Sequence, residues 1–325
     1  AAISPRYVVI EAATALIVGG LYACFHLLDI RNGAGQFNQT WATYAAHAVL
    51  LCGLLACAAV DVESWLVPLE VCWFVAIVGL LAATACPPPR QFLPAVSSTT
   101  GAMSIAAVLG LIIALILQKR GFIQPSFIDA DTKSQNAGDK ANRRAPKSVA
   151  ITAESGLNPR KEILREVLFL SPAIILAVIA YFLVTRPWIG TAWQDLNSEA
   201  VSGRFAAHFA GFQAALFGYL IGGMWVWGIR ILGTLAFGKE AMGLGDVHIM
   251  AAVGAVTGWI VPSIAFFVAP FLGLLWALYL WMGRGQRELP YGPWLATATL
   301  LVIIFYDAIM GLLGPYARAI AALTG

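Results

Sequence analysis

Two aspartates stand where a carboxylate is costly. Asp61 follows the apolar run 50–60, and Asp246 opens another that continues to Val256 with only His248 as a polar interruption. Ionisable side chains beside hydrocarbon are rare and mark function by default. Two carboxyls held close together cannot both ionise easily, so they share a proton, and one serves as base while the other serves as acid. Such a pair can draw a proton from a water molecule that attacks a peptide carbonyl, then return protons to the carbonyl oxygen and the leaving amine. This chemistry requires neither a metal nor a nucleophilic serine. Either aspartate alone reads equally well as an interfacial residue, and Asp246 as a helix N-cap. It is the pairing that points to catalysis.

The other ionisable residues carry less. Glu11 lies early in the first apolar run and reads as a hydrogen-bonding residue of the bundle, Asp29 as a solvated residue at the outer end of that run, and Asp307 as a structural buried acid. His26 and His47 read as satisfied interior residues, and His208 as the outer start of a span. No set of His, Cys, Asp and Glu has metal-ligand spacing, so no metal and no cofactor is expected. The five cysteines, Cys24, Cys52, Cys57, Cys72 and Cys86, sit in apolar runs or at their ends without a C-x-x-C pair. They read as buried small hydrophobes.

The elements that must position the two acids follow from hydropathy. The 325 residues are 60% hydrophobic and 11% charged, against about 25% charged in a soluble domain. A spanning helix needs roughly 20 apolar residues. Runs of that kind lie near 7–28, 41–60, 66–86, 99–118, 166–185, 208–236 and 293–313. The stretch 247–283 would reach about 55 Å as one helix, too long for a core of about 30 Å. It reads as a hairpin broken near Gly258–Pro262. The expected fold is therefore an all-α polytopic bundle of about eight to nine spans, nine by this partition. Residues 1–118 carry the first acid, 119–165 form a loop, and 166–325 carry the second.

Charge sets the orientation. Ten of the twenty Lys and Arg lie between Lys119 and Arg165, so the positive-inside rule places that loop in the cytoplasm. Alternating outward puts fifteen of the twenty inside, Arg230 among them near the inner end of its span. The same alternation puts Asp61 and Asp246 at the cytoplasmic ends of their spans, although neither residue entered the count. The loop is low in aromatics and reads as mostly disordered. Its charge reads as a topology signal, and no nucleic-acid partner is expected. The chain begins Ala1-Ala2-Ile3 without Met, reads as trimmed, and shows no cleavable signal peptide.

Around the two acids the sequence resembles the prepilin (type IV leader) peptidase family. The stretch 238–255, Gly-Lys-Glu-Ala-Met-Gly-Leu-Gly-Asp-Val-His-Ile-Met-Ala-Ala-Val-Gly-Ala, is similar to that family's second active-site motif, in which a Gly-x-Gly-Asp turn opens a helix of small residues. The glycines are expected to turn the backbone tightly before the helix. The first motif, an acid at a helix end followed by an acid two residues on and Pro seven residues on, is matched by Asp61, Glu63 and Pro68. Residues 287–296, Arg-Glu-Leu-Pro-Tyr-Gly-Pro-Trp-Leu-Ala, look like the Pro-aromatic-Gly-Pro-aromatic approach to its last helix, and Pro5–Glu11 is similar to the start of its peptidase region. The four matches come in the family's order. The departures are His248 where Lys is usual, Leu69 where Asp or Asn follows Pro, and Val8 where Pro follows Arg-Tyr.

The resemblance implies a membrane aspartic endopeptidase with Asp61 and Asp246 as catalytic residues. Glu63, Pro68, Lys239, Glu240, Gly243, Gly245 and His248 would support the motifs or the substrate. It implies prepilin or pseudopilin substrates with a short basic leader, cut after a glycine at the cytoplasmic face of a bacterial inner membrane. The partners implied are the lipid bilayer and the pilus or type II secretion assembly machinery. The zinc-binding C-x-x-C region that accompanies N-methyltransferase activity in the family is not in this chain, and methyl transfer is left open. Two other readings compete: a presenilin-like intramembrane aspartic protease and a proton-coupled transporter. The first pairs Gly-x-Gly-Asp with a preceding Tyr-Asp, whereas Tyr306-Asp307 follows it here. The second favours internal repeats, of which none is apparent.

Overall fold

The computed structural model of the chain describes residues 5–28, 30–31, 35–124, 126, 159–238, 240–283 and 290–324. All regular structure among them is helical. In chain order the helices are α1 (Pro5–Tyr22), α2 (Phe37–Ser64), α3 (Leu69–Ala85), α4 (Ser98–Lys119), α5 (Pro159–Val184), α6 (Pro187–Leu196), α7 (Glu199–Ser202), α8 (Arg204–Phe237), α9 (Leu244–Thr257), α10 (Ile260–Gly283), α11 (Gly292–Ile304) and α12 (Tyr306–Thr324). One turn of π-helix, Ala23–Leu27, continues α1.

Among the described residues six helices are long and apolar enough to cross a membrane, and a seventh crossing results if α11 and α12 count as one span bent by 78°. The chain is thus a multi-pass membrane protein. The sequence predicts nine spans, and the difference lies in two helices. α3 and α9 are apolar but short, at 17 and 14 residues. At 1.5 Å per residue α9 reaches only about 21 Å, short of a hydrocarbon core of about 30 Å. The hairpin break is where the sequence places it. α9 ends at Gly258, whose φ of 76° is open to glycine and unfavourable to other residues, and α10 starts two residues later. Of the expected basic loop 119–165, residues 125 and 127–158 lie outside the described residues, and its expected disorder lies there with them.

The core is built around α9, in which every residue from Ile249 to Thr257 is buried. It packs against α8, α3, α10 and α2. The small residues of the motif make this possible. A Cβ added at Gly254 would overlap the Gly218 carbonyl of α8, and one added at Gly222 would overlap the Met250 carbonyl of α9. Backbone therefore lies on backbone, the close packing that small residues allow between membrane helices. Around this centre Leu50, Leu54, Val226, Val253, Val261 and Leu295 close the core. Residues of α5 and α10 such as Ile174, Phe182, Phe271 and Leu275 remain exposed apolar surface.

Candidate active site

Asp61 is on the last turn of α2 and Asp246 is the third residue of α9. Both are nearly enclosed, at 7% and 8% exposure. The end of α2 and the start of α9 meet at one end of the bundle, where the start of α11 joins them. The Gly292 N–H of α11 donates to Asp61 Oδ2 at 3.1 Å. The adjacent Tyr291 senses the charge of Asp246, and Asp246 senses the charge of Asp61. Burial first, and Asp246 second, push the Tyr291 phenol up to about 12. It therefore stays protonated at ordinary pH and is no rival base.

Glycine is needed twice here for lack of space. A Cβ on Gly292 would come 2.7 Å from Asp61 Oδ2, and one on Gly245 would come 2.6 Å from Val67 Cβ. Gly245 thereby lets the start of α9 lie against the segment that joins α2 to α3. The tight turn expected of Gly243 and Gly245 is not their role. Gly243 caps α9 with φ −70° and ψ 147°, a conformation open to any residue, and Gly245 lies inside the helix. The left-handed residue before the motif is Gly238, φ 69°, which ends α8.

The remaining sequence-predicted residues distribute around this pair. Glu63 is exposed at the end of α2, which closes on Trp65 in a left-handed conformation, φ 57°. Pro68 precedes α3, and its carbonyl accepts from the N–H groups of Val71 and Cys72 at 3.1 and 3.4 Å. His248 points at Trp73 of α3, with ring centroids 5.9 Å apart. Glu240 turns to Arg230, 2.5 Å away. Lys239 lies outside the described residues. A cavity of about 560 Å³ opens beside Asp246, lined by Ile229, Met242, Phe266, Phe267 and Tyr291 among others. Its wall is mostly apolar, with Asp246 and Tyr291 contributing polar side chains.

Sequence reasoning missed several participants. Gly292 entered it as part of a shape motif and not as a donor to Asp61. Arg230 entered as a topology charge and Glu166 did not enter at all, although both are buried and joined at 2.7 Å. The cysteines do not all read correctly: Cys57 and Cys72 are buried with sulfurs 3.8 Å apart, but Cys86 is exposed at the end of α3. There α3 has run out, and the three prolines that follow keep the chain extended and at the surface.

Comparison with known proteins finds partial matches. Over 113 residues, 34% of this chain, the sequence is 32% identical to a prepilin leader peptidase/N-methyltransferase of Stutzerimonas stutzeri. Over that stretch the chain is similar to the prepilin leader peptidases. Proteins of the same description from Pseudomonas aeruginosa and Dichelobacter nodosus are 31% and 34% identical over 104 and 107 residues, or 31% and 33% of this chain. The matched stretches span 39%, 36% and 37% of those three relatives' own lengths. No family model matches the chain, and no solved structure matches it.

Proposed function

We propose that the chain is an aspartic endopeptidase that removes the short basic leader from prepilins or type II secretion pseudopilins. The observation that carries this reading is the meeting of Asp61 and Asp246, 185 positions apart in the sequence, at one end of the bundle beside the Gly292 N–H. The names of the relatives supply the substrate class.

The two carboxyls take different roles. A carboxylate that accepts an N–H bond is favoured in its ionised form, and Asp61 accepts one from Gly292. Among the described residues Asp246 has no such donor, and it faces Asp61's charge. Asp246 therefore holds the shared proton, and Asp61 is the base. A water between them loses a proton to Asp61 as its oxygen bonds to the scissile carbonyl carbon, and Asp246 passes its proton to the carbonyl oxygen. When the tetrahedral carbon collapses, the C–N bond breaks. The amine takes a proton from Asp61, and the gem-diol proton returns to Asp246, which restores the starting state. The positive-inside count puts this end of the bundle at the cytoplasmic face of the inner membrane, where a basic leader is held. The substrate's apolar helix can then lie in the bilayer while the bond after its leader reaches the acids. The proposal covers the peptidase step alone.

The test is leader removal from a prepilin in membranes or detergent, followed by gel shift. Asp61→Asn and Asp246→Asn each lower the rate by about 10²–10⁴-fold while folded protein is retained, and chelators leave the wild-type rate unchanged. The pH–rate profile is a bell. At low pH Asp61 is protonated and no base remains; at high pH both acids are ionised and no proton donor remains. Undiminished cleavage by either Asn variant overturns the assignment. Proton-coupled flux without cleavage favours a transporter.

A further inference from the structure

Arg230 belongs to none of the sequence motifs, yet near the end of α8 it is only 3% exposed. Its Nε donates to Glu166 Oε1 of α5 at 2.7 Å. Its Nη1 donates to Glu240 Oε1 at 2.5 Å and to the Met242 carbonyl oxygen at 2.6 Å. Glu166, itself buried, also accepts from Trp227 Nε1 and Ser126 Oγ, each at 3.2 Å. One guanidinium thus ties α5 and α8 to the segment that leads into Asp246.

Burial of these charges is an expensive way to gain stability, because desolvation offsets most of the attraction. What a guanidinium supplies in return is fixed geometry, through several donors in one rigid plane. Two of the bonds fall on residues 240 and 242. The Met242 carbonyl belongs to the peptide that joins it to Gly243, the cap of α9. Holding that oxygen fixes where α9 starts and how its first turn is rotated. Asp246 is on that first turn.

We propose that Arg230, oriented by Glu166, is a positioning residue that holds the 240–243 segment so that the Asp246 carboxyl faces Asp61. The inference rests on the peptidase reading of the two acids and adds a residue to it. Its effect passes through the backbone of residue 242, whose carbonyl it holds.

Three variants and one distance measurement test it. Arg230→Met lowers kcat for prepilin cleavage by about 100-fold, the effect expected of a carboxyl misplaced by about 1 Å, and leaves KM within about 2-fold. Its pH–rate bell also changes width, because the proton shared by the acids depends on their separation. Arg230→Lys recovers little, since one ammonium cannot reproduce the planar fork. The double variant Arg230→Met with Glu166→Leu removes the buried cation and anion together, so its melting temperature returns to the wild-type value while kcat stays low. If the double variant regains both, Arg230 merely stabilises the fold and the proposal is overturned. Independently of activity, thiols introduced by Asp61→Cys and Asp246→Cys cross-link on mild oxidation, as mapped by peptide mass spectrometry, and adding Arg230→Met reduces the yield at least about 5-fold. An unchanged yield also overturns the proposal. If the double-cysteine variant cross-links but wild-type protein cleaves no prepilin, the peptidase reading is refuted instead, and the positioning result stands on the cross-link alone.

Discussion

Asp61 and Asp246 are legible in the sequence because a carboxylate beside an apolar run is expensive wherever it sits. Their companions are not, since a backbone donor leaves no mark in residue type. Gly292 shows why: its contribution is an N–H aimed at Asp61 Oδ2 together with the absence of a side chain. Gly292→Ala therefore has a sharp consequence. A Cβ there would sit 2.7 Å from Oδ2, so Asp61 must rotate away from its donor. We expect kcat to fall about 10- to 100-fold with the melting temperature in detergent little changed, because α11 tolerates alanine. The two quantities measured on one preparation decide the matter, and a wild-type kcat refutes the contact. Arg230 and Glu166 escape sequence reading for a different reason. A charged residue near a helix end normally snorkels to the interface, and only the three-dimensional meeting of α5 and α8 shows that these two are buried together.

At the scale of the element, periodicity and glycine placement locate helices well and lengths less well. The break at Gly258 is legible because a 37-residue apolar stretch cannot be one span, and glycine with proline nearby offers a place to stop. That α9 is only 14 residues long is not legible. Hydropathy counts apolar residues and does not distinguish a helix facing lipid from one enclosed by other helices. An enclosed helix need not match the bilayer, since its ends are satisfied by protein. Its small residues serve contact and not thickness, which yields a paired prediction on α8 and α9. Gly254→Ala drives a methyl group into the Gly218 carbonyl, and we expect a loss of about 1–3 kcal/mol, as for other overpacked sites. Gly228→Ala, on α8 where an added Cβ meets nothing within 4 Å, is neutral or stabilising by up to about 1 kcal/mol, through helix propensity. Thermal melts in one detergent compare the two, and equal shifts of the same sign refute the close-packing account of the motif's small residues.

For the whole molecule, charge asymmetry is the basis of the proposed orientation, and one buried cation alters the count. Arg31 counts in the sequence as an outside charge, but it is 1% exposed. Its Nη2 donates to the Gln91 carbonyl at 2.8 Å and its Nη1 to the Ile303 carbonyl at 3.2 Å, while Phe92 and Tyr306 present ring faces 4.6 and 4.0 Å from its guanidinium carbon. Burial pulls it down to about 10, against the opposing pull of Tyr306 and Asp307, so it remains a cation at neutral pH. It is therefore a structural tie and no solvated topology signal, and setting it aside sharpens the inside excess. The tie sits where α11 stops at Ile304 and α12 departs at 78°. Such a bend leaves helix carbonyls without their usual partners, and Arg31 supplies a donor to one of them. Arg31→Met removes that donor, and Arg31→Lys cannot reach both carbonyls with one ammonium. Each should lower stability by about 1–3 kcal/mol, the cost of a buried acceptor left unpaired, read as a lower melting temperature. Arg31 bonds Ile303 and Asp61 accepts from Gly292, at the two ends of α11, so roughly 17 Å of helix separates the two contacts at 1.5 Å per residue. kcat/KM at a temperature well below the melt should therefore stay at the wild-type value. A fall in kcat/KM without a fall in melting temperature would place Arg31 in the catalytic machinery and undo its reading as a brace at the far end of the bundle.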